Sequence, residues 1–238
     1  MRKVTVVYEN ALELHMKSRE RLIKAQRKVK SNGKTVIGKY PSKVNGFTVQ
    51  FESGLENDFI AMLEYNSQVK EYFEQPVKIM FTEGGKKRSY TPDFLVHYKQ
   101  QKNSPSVKPV LYEVKFRKHI KKNWKKLKPK FLAAMRHCDE KGWRFKIITE
   151  KEIQSQFTEN VKFLLRFMTK SPDSADVETL QYAMKELGEC TAAELISHYT
   201  KDFMRQADLV PAMWYLVGNK QLKCDLTQKL TMATKLSF

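Results

Sequence analysis

The stretch from residue 89 to residue 149 constrains the fold most, because strand-like and helical patterns alternate along it. Two short apolar segments, "SYTPDFLVHYK" and "PVLYEVKFRK", are typical of β-strands. A helical segment from Ile120 to Lys141 follows them, and the strand-like "WRFKIIT" comes next. With a further helix and strand before it, this order predicts an α/β domain in which helices flank a mixed sheet.

The residues on either side of this stretch add further elements. Apolar residues recur at helical spacing in "SGLENDFIAMLEYN", which therefore predicts a helix. The segment "VKEYFEQPVKIMF" predicts a strand that is broken by Pro76. On the C-terminal side, "EKEIQSQFTENVKFLLRFM" predicts one trailing helix.

The last part of the chain predicts a second, smaller unit. The segments "VETLQYAMKEL" and "LVPAMWYLVG" predict helices, the second with Pro211 near its first turn. Another helix begins at Thr191 and Glu194, which have the spacing of a capping box. The residues that follow alternate loosely, as a terminal β-hairpin would. Three helices and a hairpin predict a winged-helix-like unit.

The net charge of +18 is distributed unevenly along the chain. From residue 171 onward there are 7 Lys and Arg and 9 Asp and Glu, a balance of −2. The first 170 residues hold the other 37 of the 44 basic and 17 of the 26 acidic side chains, a balance of +20. This asymmetry predicts that the first part binds nucleic acid and the second binds protein. We expect a basic arm at 1–50, the α/β domain at 51–170 and the winged-helix-like domain at 171–238.

The composition excludes several classes of protein. No apolar run approaches the roughly 18 to 20 residues of a membrane-spanning helix. The opening "MRKVTVVYENALELHMK" has no apolar core of a secretory signal. The three cysteines are widely spaced and form no CxxC pair, which argues against a disulfide framework or a zinc site. We therefore expect a cytoplasmic location and no membrane partner.

Charged residues on the two central strands give the first indication of chemistry. Side chains alternate along a strand, so Glu113 and Lys115 in "VLYEVKF" project from one face. Pro92 fits the start of the other strand, where a missing N–H is tolerated, and it places Asp93 at the edge of the sheet. If the two strands pair through a hairpin, the three charged side chains converge on that edge.

Converging carboxylates repel each other, and a divalent cation relieves the repulsion. Mg²⁺ is typically held by one or two carboxylates while water and phosphate oxygens take its other positions. Mn²⁺ prefers similar ligands and can substitute. The ammonium of Lys115 can orient the attacking water or offset charge that builds on the phosphorus. The pattern thus predicts metal-dependent phosphodiester hydrolysis, and the alternative is an ordinary ion pair on a strand face.

Glu56 has two candidate roles. Ser53 and Glu56 have the N-cap and N3 spacing of a capping box, which is the favoured interpretation of these residues by themselves. A carboxylate is also stabilised near the positive end of a helix, where it can face a metal ion.

The helical segment after the second strand is rich in lysine and is expected to contact the phosphate backbone. Trp124 and Leu127 are expected on its core-facing side, and Pro129 is expected to kink or split it. The candidate DNA contacts are Lys118, Lys121, Lys122, Lys125 and Lys126 in this segment and Arg21, Arg27 and Lys28 in the arm.

Taken together, these motifs resemble a known family. The segments "FESGLENDFIAMLEYNSQVKEYFEQPVKI", "YTPDFLV" and "YEVK" occur in an order similar to that of the TnsA endonucleases of multi-component transposons, including CRISPR-associated ones. The resemblance covers about residues 35–170, and the C-terminal unit is similar to the second domain of the family. It implies a restriction-endonuclease-like fold.

The resemblance also implies roles for particular residues. Glu56, Asp93 and Glu113 would bind Mg²⁺, and Lys115 would be the catalytic lysine. The family often has Gln at the third position, so the extra negative charge of Glu113 is expected to strengthen metal binding.

The resemblance further implies partners. A TnsA protein cuts the 5′ strands at the ends of a transposon in double-stranded DNA, and the DDE-type transposase TnsB cuts the 3′ strands. The AAA+ regulator TnsC is implied as a partner of the C-terminal domain, in a prokaryotic cytoplasm. Two alternatives stay open, a stand-alone restriction or repair nuclease and a non-catalytic DNA-binding assembly module.

Overall fold

The structure is a computed structural model that describes residues 36–100 and 105–238. The candidate DNA contacts Arg21, Arg27 and Lys28 lie outside the described residues. Backbone contacts divide the described chain into a first unit of residues 36–57 and 67–150 and a second of residues 58–66 and 151–238. The domain boundaries at residues 50 and 170 stay predictions from the sequence.

The first part of the described chain combines several short strands with two long helices. In chain order, its elements are β1 (Gly38–Pro41), β2 (Thr48–Phe51), α1 (Gly54–Tyr65), β3 (Val69–Glu74), β4 (Ile79–Glu83), β5 (Lys86–Tyr90), β6 (Phe94–Tyr98), β7 (Val110–Val114), α2 (Arg117–Lys141) and β8 (Arg144–Ile148).

The predicted mixed sheet is present and contains four strands in the order β3-β6-β7-β8. β6 pairs antiparallel with β3 and with β7, whereas β7 and β8 run parallel. Helix α2 connects the two parallel strands, which need a long crossover because a tight turn cannot join them. Such an arrangement of mixed sheet and helices fits a nuclease-like fold.

Two of the predicted strands are interrupted in the structure. The predicted strand around Pro76 divides into β3 and β4, because Gln75 adopts a φ of 46° and redirects the chain. The predicted strand at 89–99 divides between β5 and β6, and Asp93 lies in the gap. β4 and β5 form a hairpin of their own, and β1 and β2 form another that the sequence analysis missed.

Helix α2 departs from the expectations in two respects. Its non-helical residue is Asn123 and not Pro129, and the side-chain amide of Asn123 donates to the carbonyl of His119 at 3.1 Å. Leu127 is buried as predicted, but Trp124 is 47% exposed, so its expected core position was wrong. The buried side of the helix is centred on Leu127, Phe131 and Ala134.

The remainder of the described chain is largely helical. Its elements are α3 (Glu150–Ile153), α4 (Gln156–Phe167), α5 (Ser174–Leu187), β9 (Cys190–Thr191), α6 (Ala192–Tyr199), α7 (Phe203–Gly218) and β10 (Lys235–Leu236). The predicted single trailing helix is two helices, because Ser155 accepts the N–H of Thr158 and starts α4 afresh. The core of this unit includes Leu164, Leu180, Met184, Leu195, Leu209 and Met213.

Two expectations for the C-terminal unit were wrong in detail. Pro211 lies inside α7 and not in its first turn, because the helix begins at Phe203, six residues before the apolar segment that starts at Leu209. Asp202 caps it by accepting the N–H of Met204 at 3.0 Å. The final residues do not pair mainly with each other; β10 pairs with β9, and Lys223 and Ser237 exchange two backbone hydrogen bonds. Among the described residues, no helix is both long and apolar enough to cross a bilayer.

Candidate active site

Asp93 is fixed in the gap between β5 and β6 by three hydrogen bonds. Its N–H donates to the carbonyl of Tyr112 at 3.1 Å, and its carbonyl accepts the N–H of Gln75 at 2.8 Å. Its side-chain Oδ2 accepts the N–H of Val114 at 2.7 Å. The side chain therefore replaces a sheet hydrogen bond at the end of β7, which holds the carboxylate against this strand.

Glu113 lies in β7 with only 2% of its surface exposed. Its Oε2 accepts the hydroxyl of Tyr90 at 2.5 Å, and its Oε1 lies 3.0 Å from the ammonium nitrogen of Lys115. A buried carboxylate is unfavourable unless it is paired and hydrogen-bonded. Both requirements are met here, by a cation on one oxygen and a hydroxyl donor on the other.

Lys115 is the first residue after β7 and links the two carboxylates. Its Nζ lies 3.0 Å from Glu113 and 3.8 Å from Asp93. Its backbone N–H donates to the carbonyl of Ile148 at 3.1 Å, which anchors the residue to the neighbouring parallel strand. The structure thus brings together the three charged side chains that the strand pattern placed at one edge of the sheet.

The ionisation of these groups reflects their mutual contact. Burial and the charge of Glu113 raise the pKa of Asp93 to about 8, although Lys115 and the Val114 N–H act in the opposite direction. Burial lowers the pKa of Lys115, but the charges of Asp93 and Glu113 outweigh it, so the pKa of Lys115 is raised overall. One ammonium therefore does not fully compensate the two carboxylates.

Glu56 occupies the capping position that its spacing predicted. Its Oε2 accepts the N–H of Glu52 at 2.7 Å and its Oε1 accepts the hydroxyl of Ser53 at 2.8 Å. Its own N–H donates to Ser53 Oγ at 3.2 Å. In spite of these bonds, burial raises the pKa of Glu56.

Glu56 also lies within electrostatic reach of the other charged residues. Its charge raises the pKa of both Asp93 and Lys115. Among the described residues, however, no three His, Cys, Asp or Glu side chains are close enough to share one metal ion. In this conformation the cluster offers a pair of carboxylates, with Glu56 held nearby by its cap.

Two residues that support the cluster were missed by the sequence analysis. Tyr90 is buried and bonded to Glu113, and Glu52 accepts the side-chain amide of Gln75 at 2.8 Å. Gln75 thus links Glu52, through its side chain, with Asp93, through its backbone. No local pattern marks either residue, because each is bonded to a partner 23 positions away in the chain.

The predicted DNA-contacting lysines of α2 are all exposed. A surface cleft of about 550 Å³ is lined by Arg117, Lys118, Lys121, Lys122 and Glu150. Glu150 accepts the N–H of Arg117 at 2.8 Å, at the beginning of the helix. The structure therefore adds Arg117 to the candidate basic surface and places one carboxylate within it.

Comparison with known families bears directly on this arrangement. The model of the TnsA-like endonuclease N terminal matches residues 66–150, and that of the TnsA endonuclease C terminal matches residues 152–226. The chain belongs to the TnsA family. The first TnsA match includes Asp93, Glu113 and Lys115, whereas Glu56 lies before it. A comparison with curated proteins gives no match.

The two TnsA matches meet close to residue 151, where the division in backbone contacts also falls. The chain therefore has the two parts of a TnsA-like nuclease subunit.

Proposed function

We propose that this TnsA-family protein is a Mg²⁺-dependent DNA endonuclease that cleaves the 5′ strand at each end of a transposon. A TnsB-like DDE transposase would cut the other strand, in a prokaryotic cytoplasm. The observation that carries the proposal is the contact of Asp93 and Glu113 with the shared ammonium of Lys115 at one edge of the mixed sheet.

The donor set fits a hard divalent cation. Asp93 and Glu113 provide carboxylate oxygens, and burial together with the charge of Glu113 raises the pKa of Asp93, which a bound cation would offset. These two residues would hold Mg²⁺, or Mn²⁺ in its place, and Glu56 would be the third ligand after leaving its cap. A bound ion would supply Lewis-acid activation of water and of the phosphoryl group.

The residues of the chain have separable roles in this proposal. Tyr90 and the N–H of Val114 orient one carboxylate oxygen each, on Glu113 and Asp93. The ammonium of Lys115, which lies beside both carboxylates, is suited to stabilise negative charge on the phosphoryl group.

DNA would be held mainly through its phosphates. Lys118, Lys121, Lys122, Lys125 and Lys126 are exposed along α2, and the first 170 residues have a balance of +20. Phosphate contacts position DNA without reading its bases. Recognition of the transposon ends would therefore come from the partner transposase, and we expect cleavage to depend on that partner.

The C-terminal unit would serve assembly. Helices α5, α6 and α7, with the small β9–β10 sheet, have the element order expected of a winged-helix-like module. From residue 171 onward the charge balance is −2, which favours a protein partner over DNA. We propose a TnsC-like AAA+ regulator as that partner.

A strand-resolved cleavage assay on labelled transposon-end DNA tests the proposal. The reaction would contain Mg²⁺ and the transposase encoded beside this gene, and Asp93→Asn would be compared with wild type. The matched control is Asp139→Asn, which changes an exposed aspartate of α2. We expect Asp93→Asn to lose only the 5′-strand cut, and chelation of Mg²⁺ to remove cleavage.

Three results would contradict the proposal. Identical products from wild type and Asp93→Asn would favour a non-catalytic assembly module. Efficient cutting of arbitrary plasmid by the isolated protein would favour a stand-alone nuclease. Unchanged 5′ cleavage in a chelator would exclude the metal-dependent reaction.

A further inference from the structure

Helix α2 exposes an apolar stripe that the proposed chemistry does not use. Trp124, Leu132 and Met135 are 47%, 42% and 50% exposed. At about 100° per residue, positions 124, 132 and 135 fall within one quarter of the helix circumference. The three side chains therefore share one side of the helix with exposed Lys128, which lies between them, and we call this side the Trp124 stripe.

The stripe is separate from the buried side of the same helix. Leu127, Phe131, Ala134 and Cys138 face the core, and the ring of Trp124 lies 6.3 Å from the ring of Phe131, centroid to centroid. Trp124 is thus in contact with the core while about half of its surface is exposed. An aromatic residue held in this way is a typical anchor of a protein interface.

The charges beside the stripe are of one sign. From Trp124 to Arg136 the helix carries five Lys and Arg and no Asp or Glu. Lys128 lies within the stripe, and Lys125 and Arg136 are exposed on its side that faces away from the core. A partner must therefore combine apolar residues with negative charge.

We propose that the Trp124 stripe docks an acidic amphipathic helix of a protein partner. DNA supplies negative charge but little apolar surface, so it gives no reason to expose Trp, Leu and Met in one line. The stripe is about 16 Å long, at 1.5 Å per residue, which matches about three turns of a partner helix. Apolar anchors at helical spacing are the general signature of this kind of recognition.

The charge of the chain itself disfavours one competing occupant. Residues 1–35 contain 10 Lys and Arg and 3 Glu, so they would meet the basic flank of the stripe with charge of the same sign. Coverage by this segment is an outcome that the experiment below distinguishes.

The experiment uses the full-length protein and overlapping peptides that tile the transposase and the AAA+ ATPase encoded beside this gene. We expect at least one peptide with acidic and apolar residues at helical spacing to bind. Trp124→Ala and Met135→Ala should weaken that binding roughly tenfold or more. Tyr182→Ser, which changes a residue 65% exposed in the second unit, is the matched control and should change it by less than about twofold.

Two further measurements separate the stripe from the DNA surface. The double variant Lys128→Glu/Arg136→Glu should weaken peptide binding, and added salt should do the same. Affinity for a short DNA duplex should change by less than about twofold in Trp124→Ala but fall in Lys125→Glu/Lys126→Glu. The inference is wrong if no peptide binds, or if Trp124→Ala and Met135→Ala leave the peptide affinity unchanged. It is also wrong if Trp124→Ala weakens DNA binding as strongly as peptide binding.

Fluorescence quenching tests whether the stripe is open in the free protein. The Trp124 signal, taken as wild type minus Trp124→Phe, should be readily quenched by acrylamide and protected by the bound peptide. Protection of Trp124 from acrylamide in the free protein would overturn the inference. Protection that depends on protein concentration would identify a second copy as the occupant. Protection that does not depend on concentration would identify residues 1–35 as the occupant.

The choice of peptides rests on the proposed function, but the two can fail separately. If the transposase supports 5′ cleavage while no peptide binds, only the docking surface is wrong. If a peptide binds at the stripe and no partner supports cleavage, the proposed function is wrong and the surface stands.

Discussion

Two helices of this protein begin with the same local pattern but lie in different surroundings. Glu56 bonds to Ser53 at the start of α1, and Glu194 bonds to Thr191 at the start of α6. In both helices the N–H of the glutamate returns a hydrogen bond to the hydroxyl oxygen, at 3.2 Å. These two bonds are the same in both caps, although the carboxylate also accepts a backbone N–H from Glu52 in α1 and from Thr191 in α6.

The electrostatic setting of the two glutamates is opposite. The hydrogen bonds from Thr191 lower the pKa of the exposed Glu194. Burial raises the pKa of Glu56, which is also coupled to Lys115 and Asp93. Spacing thus determines that a glutamate caps a helix, and only its neighbours determine whether it can also take part in chemistry. A capping role for Glu56 is therefore compatible with a role at the site.

The strongest test of this comparison is cleavage by Glu56→Gln and Glu194→Gln. Glutamine keeps the size of the side chain and can still accept a hydrogen bond, so both caps should persist. We expect Glu56→Gln to lower Mg²⁺-dependent 5′ cleavage roughly 10²-fold, because it removes a charge beside Asp93 and Lys115. Glu194→Gln, measured under the same single-turnover conditions, should cleave like wild type.

Equal activity of the two variants would show that Glu56 is a cap and nothing more. Recovery of Glu56→Gln at high Mg²⁺ concentration would instead support a role in metal affinity.

The second test concerns stability against pH, measured by denaturant unfolding in a chelator. The pKa of Asp93, about 8 in the fold, exceeds its ordinary value of 3.8, so the folded state binds this proton more tightly. The contribution of protonated Asp93 to the free energy of unfolding is therefore complete below about pH 4, and it is lost as the pH rises toward 8. Asp93→Asn should therefore be more stable than wild type at pH 8, by roughly 1 to 3 kcal/mol.

The contribution of Glu194 to the free energy of unfolding should depend on pH with the opposite sign. Because its pKa is lowered in the fold, its contribution is present above its ordinary value of 4.5 and is lost as the pH falls. The matched control for Asp93→Asn is Asp139→Asn, whose free energy of unfolding should follow that of wild type across the pH range. If Asp93→Asn is less stable than wild type at pH 8, the ionised carboxylate of Asp93 does not destabilise the folded state.

The smallest expected effect is the loss of the caps themselves. Ser53→Ala and Thr191→Ala each remove the side-chain acceptor of a helix N–H and should lower the free energy of unfolding by about 1 kcal/mol. Only Ser53→Ala should also alter cleavage, because it releases Glu56 from its bond to the serine hydroxyl. A change of Mg²⁺ dependence in Thr191→Ala would remove the distinction between the two helix ends.

Local patterns in the sequence determined much of the outcome. The alternation along β7 placed Glu113 and Lys115 together, and the capping box at Thr191 forms as its spacing predicts. At Ser53 the hydroxyl accepts the N–H of Glu56 as predicted, but the glutamate accepts the N–H of Glu52 instead of that of Ser53. The mixed sheet followed from the order of the elements. These features depend on contacts between residues that are close in the chain or on strict periodicity, so a sequence shows them directly.

Tertiary structure alone decided the rest. The Tyr90 hydroxyl meets Glu113, and Glu52 meets Gln75, across 23 residues in each case, and no local pattern marks either pair. A core position was predicted for Trp124, but Leu127 and Phe131 fill the buried side of the helix and Trp124 is exposed. The pairing of β10 with β9 is also long-range. Burial and pairing depend on which distant surfaces meet, and the ionisation of Asp93 follows from that meeting.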